Sequence, residues 1–188
     1  QAAIFCMTVA RNNGTVMFVC TKRSGAELTT KYAEKCNMPY VNHRWLGGLL
    51  SNFETVRMSM RKMEDYEEKT KPANLRLMTK REGLRMLARL ERLRSSLSGV
   101  RNMSKLPDAL FVIDAGLHRI CVSEAKKIGI PVAAVVDSNY SPKGIDYIIP
   151  GNDDSTHATE IYLKVISESI LIGKNMAASG EAEEAKAD

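Results

Sequence analysis

Two apolar runs constrain this chain more than anything else in it. Ala109-Leu110-Phe111-Val112-Ile113 and, after Pro131, Val132-Ala133-Ala134-Val135-Val136 contain no polar residue, and each is followed at once by an aspartate, Asp114 and Asp137. A strand with one wet face alternates apolar and polar residues. A strand that is apolar at every position is covered on both faces, which is the habit of parallel sheets. Parallel neighbours need helical crossovers, and the intervening segments supply them.

Thr15-Val16-Met17-Phe18-Val19-Cys20 is a third such run, placed after the turn-forming Asn12-Asn13-Gly14. Tyr40-Val41 after Pro39 and Tyr147-Ile148-Ile149 are shorter strand candidates. Helices are expected near residues 26–37, over residues 118–128 with Gly129 as the C-terminal stop, and from the Pro150 to Ser155 turn to about Ile172. Strands alternating with helices predict an α/β fold, a three-layer sandwich on a mainly parallel sheet of the flavodoxin or Rossmann type.

The pattern changes between Ser51 and Ser98. Phe53, Val56, Met60 and Met63 recur at steps of three and four, as do Met86, Leu90, Leu93 and Leu97. Each set forms one apolar seam on a helix. Lys71-Pro72-Ala73-Asn74 breaks the two apart, and Thr79-Lys80-Arg81-Glu82 has the form of a capping box. The expectation is an inserted antiparallel coiled-coil hairpin over residues 53–103. The sandwich would occupy 1–52 and 104–173, and the Ala, Glu, Lys, Ser and Gly composition of 174–188 predicts a disordered acidic tail.

Charge divides the chain. Residues 1–105 carry 20 Lys and Arg against 9 Asp and Glu, a net +11, whereas residues 106–188 carry 7 against 13, a net −6. One strongly basic half points to a polyanion partner for that half alone, or else to an Arg-rich solvated helix surface. No apolar run is long enough to span a bilayer. Cys6, Cys20, Cys36 and Cys121 show neither C-x-x-C nor histidines at ligand spacing, which reads as reduced, buried thiols. Gln1 in place of Met suggests that the chain begins inside a longer polypeptide, without a signal peptide.

Ligands of such sheets usually meet the carboxyl ends of the strands. Three of these ends are visible. Thr21-Lys22-Arg23-Ser24-Gly25 offers two cations at a helix start and suits a phosphate, or an ordinary helix entry. Asp114-Ala115-Gly116-Leu117-His118 favours a helix cap over a ribose or metal site, with His118 as a satisfied surface histidine. Asp137, Asp153 and Asp154 favour turn and cap roles over Mg²⁺ binding. No serine stands in G-x-S-x-G, and no nucleophile stands beside a base. The reading is of a non-enzyme without cofactor or metal.

Tyr40-Val41-Asn42-His43-Arg44-Trp45-Leu46-Gly47-Gly48-Leu49-Leu50-Ser51-Asn52-Phe53 is the most informative stretch. It holds the only Trp and a glycine pair that lets backbones approach closely. Trp45, Gly47, Gly48 and Asn52 are expected to form the hinge where the helices leave the sandwich, with His43 and Arg44 exposed to phosphates or 2′-hydroxyls.

The stretch Tyr40 to Asn52 closely resembles the signature of the bacterial small-subunit ribosomal protein S2 family. The resemblance continues through Phe18 to Arg23, Leu106 to Asp114, Gly129 to Val132 and Ile149 to Asp154, and covers nearly all but the tail. It implies an α/β sandwich with an inserted helical hairpin. It also implies a place near the head–body junction of the small subunit, in contact with small-subunit rRNA and neighbouring ribosomal proteins, and support for docking of the large S1 protein, which helps to hold mRNA. The family's usual N-terminal segment would precede Gln1, and Ala115-Gly116-Leu117-His118 departs from the acidic, polar residues common in relatives.

The expected rRNA contacts are then Lys22, Arg23, His43 and Arg44 on the sandwich and Arg57, Arg61, Lys62, Lys80, Arg81, Arg85, Arg89 and Arg92 on the hairpin. The implied setting is the bacterial cytoplasmic ribosome in preference to an organellar one, with no membrane and no homo-oligomer. Two readings of other classes remain beside it. One is a nucleotide-dependent enzyme, which would need a phosphate loop and a base. The other is a protein scaffold whose hairpin binds a partner helix, so that deleting residues 56–97 would remove a protein and leave RNA affinity intact.

Overall fold

The computed structural model describes residues 1–184, with side chains described through residue 179. Five parallel strands form one sheet: β1 (Val16–Val19), β2 (Tyr40–Val41), β3 (Ala109–Ile113), β4 (Val132–Val136) and β5 (Tyr147–Pro150), in the order β2-β1-β3-β4-β5. The register pairs Phe18 with Tyr40 and Phe111, and Ala133 with both Phe111 and Tyr147. β1, β3 and β4 are buried at every position, as their unbroken apolar runs require.

Successive side chains of these strands feed two different cores. Met17, Val19, Leu110, Val112, Val132, Ala134 and Val136 point to one face, where α6 (Arg119–Ile128) supplies Cys121, Val122 and Ala125. Val16, Phe18, Ala109, Phe111, Ile113, Ala133 and Val135 point to the other. That face is covered by α1 (Ala2–Arg11), α2 (Ala26–Lys35) and α7 (Thr156–Glu184). Phe18 and Phe111 meet edge to face, with centroids 5.6 Å apart. The expected three-layer α/β architecture is the one present.

Between β2 and β3 lie α3 (Phe53–Lys69), a single-turn α4 (Pro72–Leu75), α5 (Lys80–Leu97) and a 3₁₀ turn (Ser98–Val100). The Thr79 capping box is present: Thr79 Oγ1 accepts from the Glu82 amide and Glu82 accepts from the Thr79 amide. Pro72 sits at the start of α4, where its missing N–H is harmless. Val56, Met60, Met63, Leu90 and Leu97 are buried in the same cluster as β1, β3 and β4. The two helices therefore share a core with the sandwich and do not bury a separate one.

Two expectations need correction. Residues 2–11 form α1, an element not anticipated; its signal was the four-residue spacing of Ala2, Cys6 and Ala10, which are its buried residues. The tail expected to be disordered from 174 is helical to Glu184, twelve residues past the expected end at Ile172. Ala, Glu, Lys and Met are strong helix formers, and extending a nucleated helix is easy. Lys174 also ties this segment down, donating from Nζ to the Cys36 carbonyl at 2.7 Å. Residues 185–188 of that tail lie outside the described residues.

The four cysteines are buried and unpaired, as read from their spacing, and burial pushes the Cys6 thiol up to about 12. No described helix is long and apolar enough to cross a membrane.

Candidate nucleic-acid interface

The loop from Asn42 to Asn52 leaves the end of β2 and delivers the chain to α3. Its conformation is set by a residue that local sequence signals do not reveal. Glu124, on α6, turns its carboxylate inward; the residue is 9% exposed. Oε1 accepts from the Gly48 amide at 2.7 Å and from Trp45 Nε1 at 3.3 Å. Oε2 accepts from the Leu50 amide at 3.1 Å, the Ser51 amide at 3.2 Å and Ser51 Oγ at 3.3 Å. Burial works to raise the carboxyl pKa, but the donors of Gly48, Ser51, Leu50 and Trp45 outweigh it and hold the group below the ordinary glutamate range.

Gly48 has φ +86, a left-handed conformation that a side chain resists, and that conformation aims its amide at Glu124. Gly47 does not act as a point of close approach, because a Cβ there would meet nothing within 4 Å. Trp45 packs on the core beside the partly buried Leu46. Asn52 is the N-cap residue of α3, although its side chain accepts from Thr55 Oγ1 at 2.8 Å and caps no amide. His43 and Arg44 stand exposed at the start of this pinned loop, without a hydrogen bond or ion pair to the described residues.

The strand ends hold a different arrangement. Lys22 Nζ lies 2.7 Å from Asp114 Oδ2, 2.7 Å from Asp153 Oδ1 and 2.6 Å from Asp154 Oδ1. Burial alone would lower the ammonium pKa; the hydrogen bonds it donates to these three carboxylates outweigh that and raise it. Burial likewise works to raise Asp114, while Lys22 and the Leu117 amide hold it below its usual value. Lys22, expected to meet an RNA phosphate, is already surrounded by more negative charge than it carries. Arg23 beside it is exposed and forms no ion pair with the described residues.

Carboxylate oxygens of Asp137, Asp153 and Asp154 lie within 4.8 Å of one another, and the Lys22 ammonium occupies the cationic place beside two of them. The turn reading holds, but the cap reading does not hold for the aspartates: α6 has His118 as its N-cap residue with no side-chain cap, and at the start of α7 it is Ser155 Oγ that accepts, from the Ala158 amide at 3.5 Å. Asp114 Oδ1 accepts from the Leu117 amide at 2.8 Å, and Asn152 Oδ1 accepts from the Asp154 amide at 2.8 Å.

His118 is not on the surface: the residue is 3% exposed. It joins two strand ends, with Nδ1 at 2.9 Å from the Asp114 carbonyl and Nε2 accepting from the Thr21 amide at 3.2 Å. That pair of contacts fixes the neutral tautomer with the proton on Nδ1. Burial lowers the imidazole pKa, against the pull of Asp114.

The remaining candidates lie on α3 and α5. Arg57 pairs with Glu54 at 3.2 Å. Arg61, Lys62, Lys80, Arg81, Arg85, Arg89 and Arg92 are exposed and form no ion pair with the described residues. Arg81, Arg85, Arg89 and Arg92 recur every three or four residues and so share one face of α5, while Leu90 and Leu97 are buried on another. Arg94 and Arg101, outside the expected set, are held by Glu67 at 2.9 Å each, which pulls the Glu67 carboxyl below its usual value. The helices thus carry two populations of arginine, one bound within the fold and one unpaired in solvent.

A family model described as Ribosomal protein S2 matches residues 1–173.

Proposed function

The chain belongs to the ribosomal protein S2 family, a structural, non-enzymatic class of the small ribosomal subunit, and from that premise we propose how it engages its surroundings. The unpaired arginine face of α5, together with Arg61, Lys62, Arg23, Arg44 and His43, meets the small-subunit rRNA backbone. Phosphate contacts of this kind supply affinity and position but little base specificity, so the shape of the RNA and adjoining ribosomal proteins complete the recognition. Lys22 is left out of this set and serves to hold three strand ends together.

The observation that carries the reading is the run of Arg81, Arg85, Arg89 and Arg92 on one face, none of them in an ion pair with the described residues, with Arg85 acting on Glu82 only through its field. Support for S1 docking and residence in a bacterial ribosome rest on the family alone. The acidic half of the chain, net −6, is the part suited to protein neighbours.

The test is binding of small-subunit rRNA as a function of salt. Replacing the four arginines with alanine is expected to weaken binding and to reduce the slope of log K against log salt by about 0.7–0.9 for each phosphate no longer neutralised, with thermal stability retained. An unchanged slope would sink this assignment.

A further inference from the structure

The net charge of the second half hides one cationic exception. Three of its seven Lys and Arg, namely Arg119, Lys126 and Lys127, stand on α6. The only acid of that helix is Glu124, which is buried and fully engaged by five hydrogen bonds from the loop. The exposed charges of α6 are therefore all positive. Arg119, Ser123 and Lys127 fall at four-residue steps on that face. All three are exposed, and none forms an ion pair or side-chain hydrogen bond with the described residues. Ile120 beside them is 57% exposed.

These residues line a groove of about 400 Å³, with Ser51 as its other wall and Glu124 at its base. Ser51 closes the loop that begins with His43 and Arg44, so the loop that presents those two residues also walls the groove on α6. Its chemistry is two cations flanking hydroxyls with one apolar side chain, which matches a sugar–phosphate strand: phosphates to Arg119 and Lys127, a ribose face to Ile120. Because Glu124 fixes Ser51 through both its amide and its hydroxyl, the wall is rigid before any ligand arrives, and little ordering is needed on binding.

We propose that the groove between Ser51 and the Arg119–Ser123–Lys127 face of α6 is a second rRNA backbone site, which rests on the RNA-binding role proposed for α5. It places the RNA partner across the hinge loop and not on the helices alone.

The experiment compares three variants of the full chain on small-subunit rRNA across a salt series. Arg119→Ala with Lys127→Ala is expected to weaken binding about tenfold near physiological salt and to lower the salt slope by roughly 1.5, the share of two neutralised phosphates. Lys31→Ala with Lys35→Ala removes the same charge from α2, on the opposite face of the sheet, and is expected to leave the slope unchanged. The four-arginine variant of α5 tests the underlying reading. If it alone lowers the slope, the groove is overturned and the RNA assignment stands. If none of the three lowers it, the RNA assignment falls too. An equal loss from the α2 pair would mean that overall charge, not this groove, is being read. Loss of a neighbouring ribosomal protein from reconstituted subunits with RNA affinity intact would make the groove a protein contact and overturn the inference. All eight positions are exposed, and circular dichroism melts of each variant check that the fold is retained.

Discussion

Glu124 on α6 and the Asp114–Asp153–Asp154 group beyond the strand ends both hold carboxylates within the fold, and they are satisfied in opposite ways. Glu124 takes its partners from backbone amides, an indole and a hydroxyl, all of them uncharged dipoles of a single loop. No cation is consumed, and Arg119 and Lys127 beside it form no ion pair with the described residues. The aspartates take Lys22, and with it a charge that would otherwise face outward. The same chemistry thus builds a presenting surface in one place and a self-contained brace in the other. A basic residue at a strand end is not a ligand site until its neighbours have been counted.

The comparison can be broken most sharply at Glu124. Glu124→Ala leaves the Gly48, Leu50 and Ser51 amides and the Trp45 indole without their acceptor, at about 1–3 kcal/mol for each group that stays buried and unmet. A total loss of about 3–5 kcal/mol is expected after local relaxation, measured by urea unfolding. rRNA affinity should fall as well, because the loop carrying His43 and Arg44 is released. Since the folded carboxyl pKa is depressed, its contribution is present above the unfolded value of about 4.3 and is lost as pH falls through the folded one. Glu124→Gln should remove that acid dependence along with the stability. A variant as stable as the parent would show that the clamp does not hold the loop.

Lys22→Ala is expected to be milder, about 2–3 kcal/mol, because the side chain retains 20% exposure and the abandoned carboxylates can draw in water or protons. rRNA binding should be nearly unchanged once the protein is folded. A large loss of RNA affinity with small loss of stability would reverse the distinction between brace and presenting surface and return Lys22 to the RNA side.

The smallest effect belongs to His118. Its folded pKa lies below the usual value, so its contribution is complete above about 6.5 and is lost as pH falls through that value toward the folded one. Unfolding free energy should decline gently in that window, and His118→Gln, which cannot take up the proton, should flatten the profile. A profile already flat in the parent would mean that the imidazole titrates normally and does not bridge Thr21 and Asp114.

Where physical causes are local, they can be read from the chain in advance. β1, β3 and β4 are visible as unbroken apolar runs, the start of α5 as a capping box at Thr79, and the end of α6 as Gly129, which adopts φ +79. The arginine face of α5 follows from spacing. What stays hidden depends on distance along the chain. The partners of Glu124 are 73 to 79 residues away, and nothing near SEAKK marks that acid as different from any solvated one. Lys22 looks free in the sequence because two of its three carboxylates come from 131 and 132 residues downstream. The first helix is legible in Ala2, Cys6 and Ala10, but small residues at four-residue steps make a faint stripe. The long last helix is obscured because its composition suits both a helix and a solvated tail.

The seam of α3 and α5 runs into the sheet's own core without a break. A lever with its own separate core could swing about residues 51–52, and capturing RNA would mean freezing that swing. Here Met60, Met63, Leu90 and Leu97 are anchored to the same apolar mass as Val112 and Val136, so the arm is mounted stiffly before it touches anything. Under the proposed RNA reading, its arginines would meet the nucleic acid as a prearranged comb, and strain applied at these helices would pass straight to the strands.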